Sequence, residues 1–144
     1  MSAILQSLSI TSDGSLGNFT TTSTTMVDVH STMNLSFSSN GGFWLFYLQA
    51  RASDLQAGTP PLDVHYSLFL DDVELNPRGG LGLNIRRLAA LTTYHPINLS
   101  WWQVIKSGQH TIKPKFSVQS GGTVRIYNDT TLNFLKLYAI ELDF

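Results

Sequence analysis

Hydrophobic and polar residues alternate along most of this chain with a period of two, which is the period of a β-strand. The stretch 33–37, MNLSF, places its apolar side chains on one face and its polar side chains on the other. The stretch 111–118, TIKPKFSV, alternates in the same way and carries its lysines on the polar face. Turn-forming sequences rich in Gly, Asn, Asp and Ser separate such stretches. The pattern predicts roughly eight or nine short antiparallel strands in a sandwich or barrel.

Two stretches depart from this rule because they are apolar on both faces. The stretch 43–52 reads FWLFYLQARA, and the stretch 134–142 reads FLKLYAIEL. In the second stretch only Lys136 and Glu141 suit contact with water. A strand that is apolar on both faces is buried between layers of its own chain or against another chain. We therefore expect these two strands to lie in a sheet whose outer face is also covered.

The remaining segments predict one domain preceded by a short N-terminal element. Residues 1–18 read as an arm or an edge strand, and residues 19–144 as the β-domain itself. The stretch 83–93 is the one segment whose periodicity is compatible with a helix, and we favour a strand or irregular coil there.

Composition narrows the classes of function. Charged residues make up 13% of the 144 residues and hydrophobic residues 42%, which indicates surface that is covered in the working state. A net charge of -1 indicates neither nucleic acid nor an anionic membrane as a partner. The absence of cysteine excludes disulfides and thiolate chemistry. The N-terminal sequence lacks the features of a signal peptide, and no apolar run reaches the roughly 18 residues of a membrane helix.

Candidate catalytic and metal-binding residues are few. Asp28 and His30 have the spacing of two metal ligands on one strand face, but no third ligand follows in a known pattern. Asp71, Asp72 and Glu74 could form a calcium or acid–base site, and we favour a hairpin turn because Asp suits turn backbones. We therefore expect no catalytic residue, no metal and no cofactor, and a chain that is not an enzyme.

Tryptophan and arginine pairs are the candidates for a ligand or partner surface. Trp101 and Trp102 are consecutive, so in a strand only one of them can face the core. The other would line a subunit interface, which we favour, or stack on a sugar ring in a pocket. Arg86 and Arg87 could bind phosphate or an acidic partner, or form a solvated patch or an intersubunit ion pair.

Several short motifs follow one another in a definite order along the chain. TSTTMVDV stands at 22–29 and LDDVEL at 70–75; a Gly-x-His-Thr strand then precedes a Ser-Gly-Gly turn, and the last strand ends in Ile-Glu-Leu. This order resembles the C1q/TNF-like jelly-roll domains of bacterial and bacteriophage proteins. The resemblance spans about residues 20 to 142. The matching residues are Gly108, His110, Thr111, Ser120, Gly121, Gly122, Ile140, Glu141 and Leu142.

The resemblance implies a two-sheet antiparallel jelly roll that forms a compact homotrimer. The sheet around the threefold axis would contain the strand regions 22–30, 43–52, 109–118 and 134–142. The side chains expected at the trimer interface are Phe43, Trp44, Phe46, Phe134, Tyr138 and Ile140.

The resemblance also implies a function by assembly. The expected role is that of a bacteriophage virion protein, either a capsid decoration protein or a module associated with the tail, whose partner is a capsid or tail protein. The alternative is a TNF-like lectin with carbohydrate sites between protomers that use Trp101 or Trp102. Outside a virion, the chain would be cytoplasmic or released without a signal peptide.

Overall fold

The computed structural model describes residues 3–75, 83–131 and 133–143, and in this part the regular structure is β apart from a single turn of 3₁₀ helix at Gly14–Leu16. The strands are β1 Ala3–Thr11, β2 Phe19–Thr21, β3 Val27–Asp28, β4 Leu35–Ser39, β5 Phe43–Ala57, β6 Leu62–Leu70, β7 Val73–Glu74, β8 Asn84–Leu88, β9 His95–Val104, β10 Gly108–Val118, β11 Thr123–Ile126 and β12 Leu135–Asp143. Strand β8 confirms the preference for a strand over a helix in that segment. No helix in the described residues is long and apolar enough to cross a membrane.

The strands form two antiparallel sheets. Sheet A contains β1, β2, β5, β9, β11 and β12, and sheet B contains β3, β4, β6, β7, β8 and β10. In several places two short strands pair, one after the other, with the same edge of a longer strand. We count such a pair as one row, so that the described strands of each sheet form four rows. The rows of sheet A are β1 with β2, then β12 with β11, then β5, then β9. The rows of sheet B are β4 with β3, then β10, then β6, then β7 with β8.

The chain visits these rows in the order A, B, A, B, B, A, B, A. This is the path of an eight-row jelly roll, in which two Greek keys wrap around one core. The predicted antiparallel sandwich is therefore confirmed, and the two strands that are apolar on both faces lie in one sheet, as expected. These are β5 and β12, which are neighbours from Phe43 opposite Leu142 to Ala50 opposite Leu135.

The predicted composition of the sheet that contains β5 and β12 is wrong in part. The regions 22–30 and 109–118 form β3 and β10, and both strands belong to sheet B. Alternation identifies the two faces of a strand, but it does not say which sheet the strand joins.

The core lies between the inner faces of the two sheets. Trp44 and Phe46 of β5 are fully buried there and pack against Phe37 of β4, at ring-centroid distances of 4.4 and 5.5 Å. The indole nitrogen of Trp44 donates a hydrogen bond to Ser39 Oγ at 3.0 Å. Burying an aromatic side chain of this size contributes about 2–3 kcal/mol. Trp44 and Phe46 therefore cannot reach another protomer, and their assignment to a trimer interface is corrected.

The N-terminal segment is the edge strand of sheet A, which was one of its two predicted alternatives. Strand β1 pairs with β12 from Ala3 opposite Asp143 to Thr11 opposite Lys136. Leu8 and Ile10 pack against the core.

Asn128 ties the turn after β1 to the start of β12. Its buried side chain accepts a hydrogen bond from Ser12 Oγ at 2.6 Å and donates to the carbonyls of Asp13 and Gly17 at 2.8 and 3.0 Å. Ser12 Oγ in turn accepts from the backbone N–H of Leu135 at 2.8 Å. The amide of Asn128 and the hydroxyl of Ser12 therefore provide partners for two carbonyls and one backbone N–H around this turn.

We expect the change Asn128→Ala to lower the free energy of unfolding by about 3 kcal/mol, because it removes these three side-chain bonds and leaves the buried hydroxyl of Ser12 without its acceptor. Urea unfolding followed by tryptophan fluorescence measures the change. Asn34→Ala is the matched control, since Asn34 is exposed and donates to only one carbonyl, that of Ser31. Equal losses in the two variants would contradict the role of Asn128.

Candidate functional site

The outer face of sheet A is the most unusual surface of the described structure. Three adjacent strands, β9, β5 and β12, each present apolar side chains away from the core. We call this surface the apolar face, and define it by Phe43, Leu45, Tyr47, Trp102, Val104, Tyr138, Ile140 and Leu142.

Strand register makes the apolar face continuous. Leu45 lies directly opposite Trp102 on one side and Ile140 on the other. On the next rung Phe43 lies opposite Val104, and its ring stacks on Trp102 with 5.6 Å between the ring centroids. Cross-strand side chains at such positions touch one another, so the patch is one surface and not a set of isolated residues.

The residues that the structure describes leave much of the apolar face open to water. Trp102 is 64% exposed and Val104 57% exposed. The central members, among them Leu45 and Ile140, are only half-buried, although they stand in the middle rows of the sheet. Soluble proteins seldom leave a contiguous apolar patch of this kind in water, and where they do it marks an interaction site.

The outer face of sheet B is polar by contrast. The Nζ atoms of Lys113 and Lys115 both lie 3.5 Å from the carboxylate of Asp28. Lys113 also contacts Asp72 at 2.8 Å, and this hydrogen bond lowers the pKa of the Asp72 carboxyl. Lys115 lies over the ring of Phe69, 4.7 Å from its centroid. The carboxylates of these pairs are exposed, so the pairs contribute little stability, but they make this face suitable for contact with water.

The acidic cluster forms the turn between β6 and β7. Asp71 and Asp72 both have left-handed backbones, with φ of 48° and 64°, as the central residues of a two-residue hairpin turn. Asp71 accepts hydrogen bonds from the backbone N–H of Thr111 at 2.9 Å and from His110 Nδ1 at 2.6 Å. The predicted turn is confirmed. Among the described residues no group of three His, Asp or Glu side chains is placed to hold a metal ion.

We expect His110 to titrate above its ordinary value of 6.5, because its hydrogen bond to Asp71 raises its pKa. The other ring nitrogen faces the carbonyl of Lys106 at 2.7 Å, so both nitrogens donate only when the ring is protonated. The contribution of the protonated His110 to the stability of the fold is complete below pH 6.5. It is lost as the pH rises through the pKa of His110 in the folded chain. An NMR titration of the imidazole measures this value, and Asp71→Asn should lower it. A midpoint at or below 6.5 in the unmodified chain would contradict the assignment.

The proposed pair of metal ligands diverges in the structure. Asp28 faces Lys113 and Lys115, whereas the imidazole of His30 hydrogen-bonds Thr32 Oγ1 at 2.8 Å. The two side chains therefore have separate structural partners.

The two tryptophans point to opposite sides of β9, as predicted. Trp101 is half-buried against the core, and its Nε1 donates to Gln103 Oε1 at 2.8 Å. Trp102 points outward and joins the apolar face.

The two arginines also point to opposite sides of their strand, β8. Arg86 is half-buried, and its Nε lies 3.4 Å from Asn84 Oδ1. Arg87 is exposed and forms an ion pair with Asp63 at 3.3 Å. Both belong to sheet B, so they do not join Trp102 in one surface.

Of the residues expected at an interface, Phe43, Tyr138 and Ile140 belong to the apolar face. Phe134 precedes β12 and lies at the end of sheet A, beside Arg51. Val104 was not named as an interface residue, although its spacing of two from Trp102 places it on the same face of the strand. The sequence did not show that this face lies beside Phe43 and Leu45 of β5.

Comparison with known proteins supports the fold and no more. No protein-family model matches the chain, and no curated protein matches its sequence. The protein of infectious bursal virus-derived T=1 particles is 13% identical, with a TM-score of 0.52 over 94% of this chain. The match covers 36% of that viral protein, so this chain spans about a third of its length.

Two weaker similarities are to sugar-binding proteins. A family 35 carbohydrate-binding module from Clostridium thermocellum is 13% identical, covers 95% of this chain and 97% of its own, and has a TM-score of 0.39. The sugar-binding C-terminal domain of EclA is 14% identical, covers 72% and 64%, and has a TM-score of 0.41. These two scores are too low to carry an inference. The chain therefore shares the fold of a viral jelly roll, and the similarity extends no further than the fold.

Proposed function

We propose that this chain is a non-enzymatic assembly module that forms a homotrimer through its apolar face. The observation that carries the proposal is the contrast between the outer faces of the two sheets. The outer face of sheet B holds paired charges, whereas that of sheet A holds contiguous aromatic and aliphatic side chains. An aromatic-rich surface that is poor in charge is typical of the core of an interface.

The composition of the apolar face favours further copies of this chain as its partner. Lys136 lies at the rim of this face, with its Nζ 5.1 Å from the ring centroid of Tyr138. Identical faces can meet only when they do not repel one another, and a face without central charge meets this condition. The resemblance to C1q/TNF-like domains supports three copies around an axis, with the rows of β5 and β12 at the centre.

Contacts made by histidines support a non-enzymatic role. His65 Nε2 lies 3.2 Å from Glu74 on the outer face of sheet B, and His110 is held between Asp71 and a backbone carbonyl. Neither of these two imidazoles contacts a serine or threonine hydroxyl here, so each is accounted for by structure. His30 does contact a hydroxyl, Thr32 Oγ1 at 2.8 Å, but this is a local bond within one exposed turn.

The location that we propose is a bacteriophage virion, with the trimer as a capsid decoration protein or a module associated with the tail. This step rests on the resemblance in sequence motifs. A similar fold in a protein of viral particles is compatible with it, but a fold alone does not determine function.

The second candidate is a lectin with carbohydrate sites between protomers. The observation that favours it is Trp102, whose indole is 64% exposed and positioned by its contact with Phe43. A glycan array with the unmodified chain and with Trp102→Ala tests it. Sugar binding that depends on Trp102 favours the lectin, and its absence favours assembly alone.

Sedimentation velocity of the unmodified chain tests the assembly itself. The proposal predicts a species of three protomer masses that persists on dilution into the micromolar range, as expected for an apolar interface of standard size. A single protomer at all concentrations would overturn it.

A further inference from the structure

A second surface, beyond the apolar face, has the character of a binding site. Beyond the end of the apolar face that is formed by Tyr47 and Tyr138, two pockets of about 370 and 320 Å³ share Arg51 in their lining. We call them together the Arg51 cleft. Besides Arg51, the side chains that matter are aromatic rings and uncharged amides: Tyr94, Tyr127, Phe134, Gln49, Asn98 and Asn133.

Arg51 is available to a ligand. Its exposed guanidinium forms no hydrogen bond or ion pair with any residue that the structure describes. The nearby carboxylate of Asp54 is fully buried and is already held by Arg125, at 3.0 and 2.7 Å. A free guanidinium presents a planar fork of donors that matches a carboxylate.

An exposed aromatic ring stands beside this guanidinium. Tyr94 is 64% exposed, and the ring of Tyr127 meets it edge-on at a centroid distance of 5.1 Å. Tyr127 is fixed in turn, because its hydroxyl donates to Asp54 at 2.8 Å and its ring lies 4.4 Å from the guanidinium carbon of Arg125. Tyr94 therefore rests on a rigid support while its outer face remains open.

The loop that carries Tyr94 is conformationally strained. Thr92 has a left-handed backbone with φ of 55°, which is costly for a β-branched residue. Its N–H donates to the carbonyl of Leu55 at 3.0 Å, so β5 holds the loop in this conformation. Strain of this kind tends to persist where a side chain must be presented in a fixed position, and here that side chain is Tyr94.

The amides at the cleft have spare hydrogen-bonding capacity. Asn98 uses its oxygen to accept from the hydroxyl of Tyr47 at 2.8 Å, which leaves its NH₂ group to donate. Asn133 uses its NH₂ group to donate to Asp129 at 2.8 Å, which leaves its oxygen to accept. The cleft therefore offers a cationic fork, an open aromatic face, a donor and an acceptor.

We propose that the Arg51 cleft binds a pyranose that bears a carboxylate. Arg51 binds the carboxylate, Tyr94 stacks on the C–H face of the ring, and Asn98 and Asn133 bond its hydroxyls. A peptide with a free carboxyl end fits less well, because peptides commonly add to an open strand edge. Strand β5 has no open edge here, since Ser53 pairs with both β9 and β11.

This proposal is independent of the assembly proposed above, because one protomer supplies the whole cleft. The test is an NMR titration of the ¹⁵N-labelled chain with methyl β-D-glucuronide, and with methyl β-D-glucoside as the neutral analogue. We expect the glucuronide to shift the amides of Arg51, Tyr94 and Asn133, and to bind roughly 10-fold more tightly than the glucoside. Equal affinity for the two sugars, or no shift with either, would overturn the proposal.

Variants assign the contacts. Arg51→Gln should weaken glucuronide binding roughly 10-fold and leave glucoside binding nearly unchanged, since only the charge-assisted bond is lost. Tyr94→Ala should weaken the binding of both sugars, because the stacking ring is lost. The Tyr94→Phe variant keeps the ring and should bind both sugars as the unmodified chain does. Arg87→Gln is the matched control, because Arg87 is an exposed arginine in the other sheet.

Two further results would reject the site. One is unchanged glucuronide binding in a folded Arg51→Gln variant, with folding confirmed by an unaltered thermal unfolding curve. The other is tighter binding of a tripeptide with a free carboxyl end than of the glucuronide, which would assign the cleft to peptide ends.

Discussion

Replacing Ile140 with glutamate is expected to separate the trimer into folded protomers. Ile140 stands in the middle of the apolar face, opposite Leu45 of β5 and Ser7 of β1. In a separate protomer the new carboxylate reaches water. In the trimer it would be buried without a partner, which costs about 2–5 kcal/mol for each protomer–protomer interface. Sedimentation velocity should then show the protomer mass at concentrations where the unmodified chain is assembled.

Ile85→Glu is the matched control for this variant. Ile85 is also an isoleucine on the outer side of a strand, 45% exposed, but it belongs to sheet B. Both changes replace a β-branched residue in a strand. Through strand propensity alone, each should lower the free energy of unfolding of the protomer by up to about 1 kcal/mol. The Ile85 variant should remain a trimer. Dissociation of both variants, or of neither, would show that the apolar face is not the interface.

Replacing Arg125 with methionine is expected to lower the free energy of unfolding by about 3–5 kcal/mol, because it leaves the Asp54 carboxylate buried without its cation. Asp54 is inaccessible to solvent and receives two hydrogen bonds from Arg125 and one from Tyr127. The bond to Asp54 raises the pKa of Arg125, so the guanidinium is charged wherever the chain is folded. Chemical denaturation measures the loss.

Two comparisons isolate the buried charge as the cause. Arg87→Met removes an ion pair with Asp63 in which both side chains are largely exposed, and it should cost less than about 1 kcal/mol. The double variant Asp54→Asn with Arg125→Met should recover part of the loss, since no buried charge then remains. A double variant less stable than Arg125→Met alone would contradict this explanation.

The sequence was sufficient to identify the strands that matter most. Leu45 and Ile140 belong to stretches with apolar residues at odd and even positions alike, and this pattern required a covered outer face for each stretch. The hydrogen-bonded register of β5 and β12 turns that local signal into a shared surface. The turn at Asp71 and Asp72 was predictable for a similar reason, because it depends on the backbone preferences of two consecutive residues.

The inward direction of β5 could not be predicted. Its two faces are almost equally apolar, so alternation gave no reason to place Trp44 inside and Phe43 outside. The side that faces the core is decided by the opposing sheet, where Phe37 fills the space against Trp44. The assignment of β3 and β10 to the wrong sheet has the same origin, because strand order depends on contacts between distant parts of the chain.

The Arg51 cleft was not visible in the sequence for a related reason. Arg51 ends an apolar stretch, whereas Tyr94 directly precedes β9 and Tyr127 directly follows β11, far along the chain. They meet because Ser53 pairs with both His95 and Ile126, each of which is adjacent to one of the tyrosines. A clue was present in these tyrosines next to turn sequences, but only the strand register brings them to one place.

Oxidative footprinting tests most directly whether further copies of this chain cover the apolar face. Trp102 and Tyr94 are each 64% exposed in the protomer, but only Trp102 belongs to the apolar face. The oxidation rate of each residue is compared between the unmodified chain and the Ile140→Glu variant, each at the same concentration. We predict that Trp102 is oxidised several-fold more slowly in the unmodified chain and that Tyr94 reacts equally in both. Equal oxidation of Trp102 in the two samples would show that its surface stays open to water and would contradict the proposed assembly.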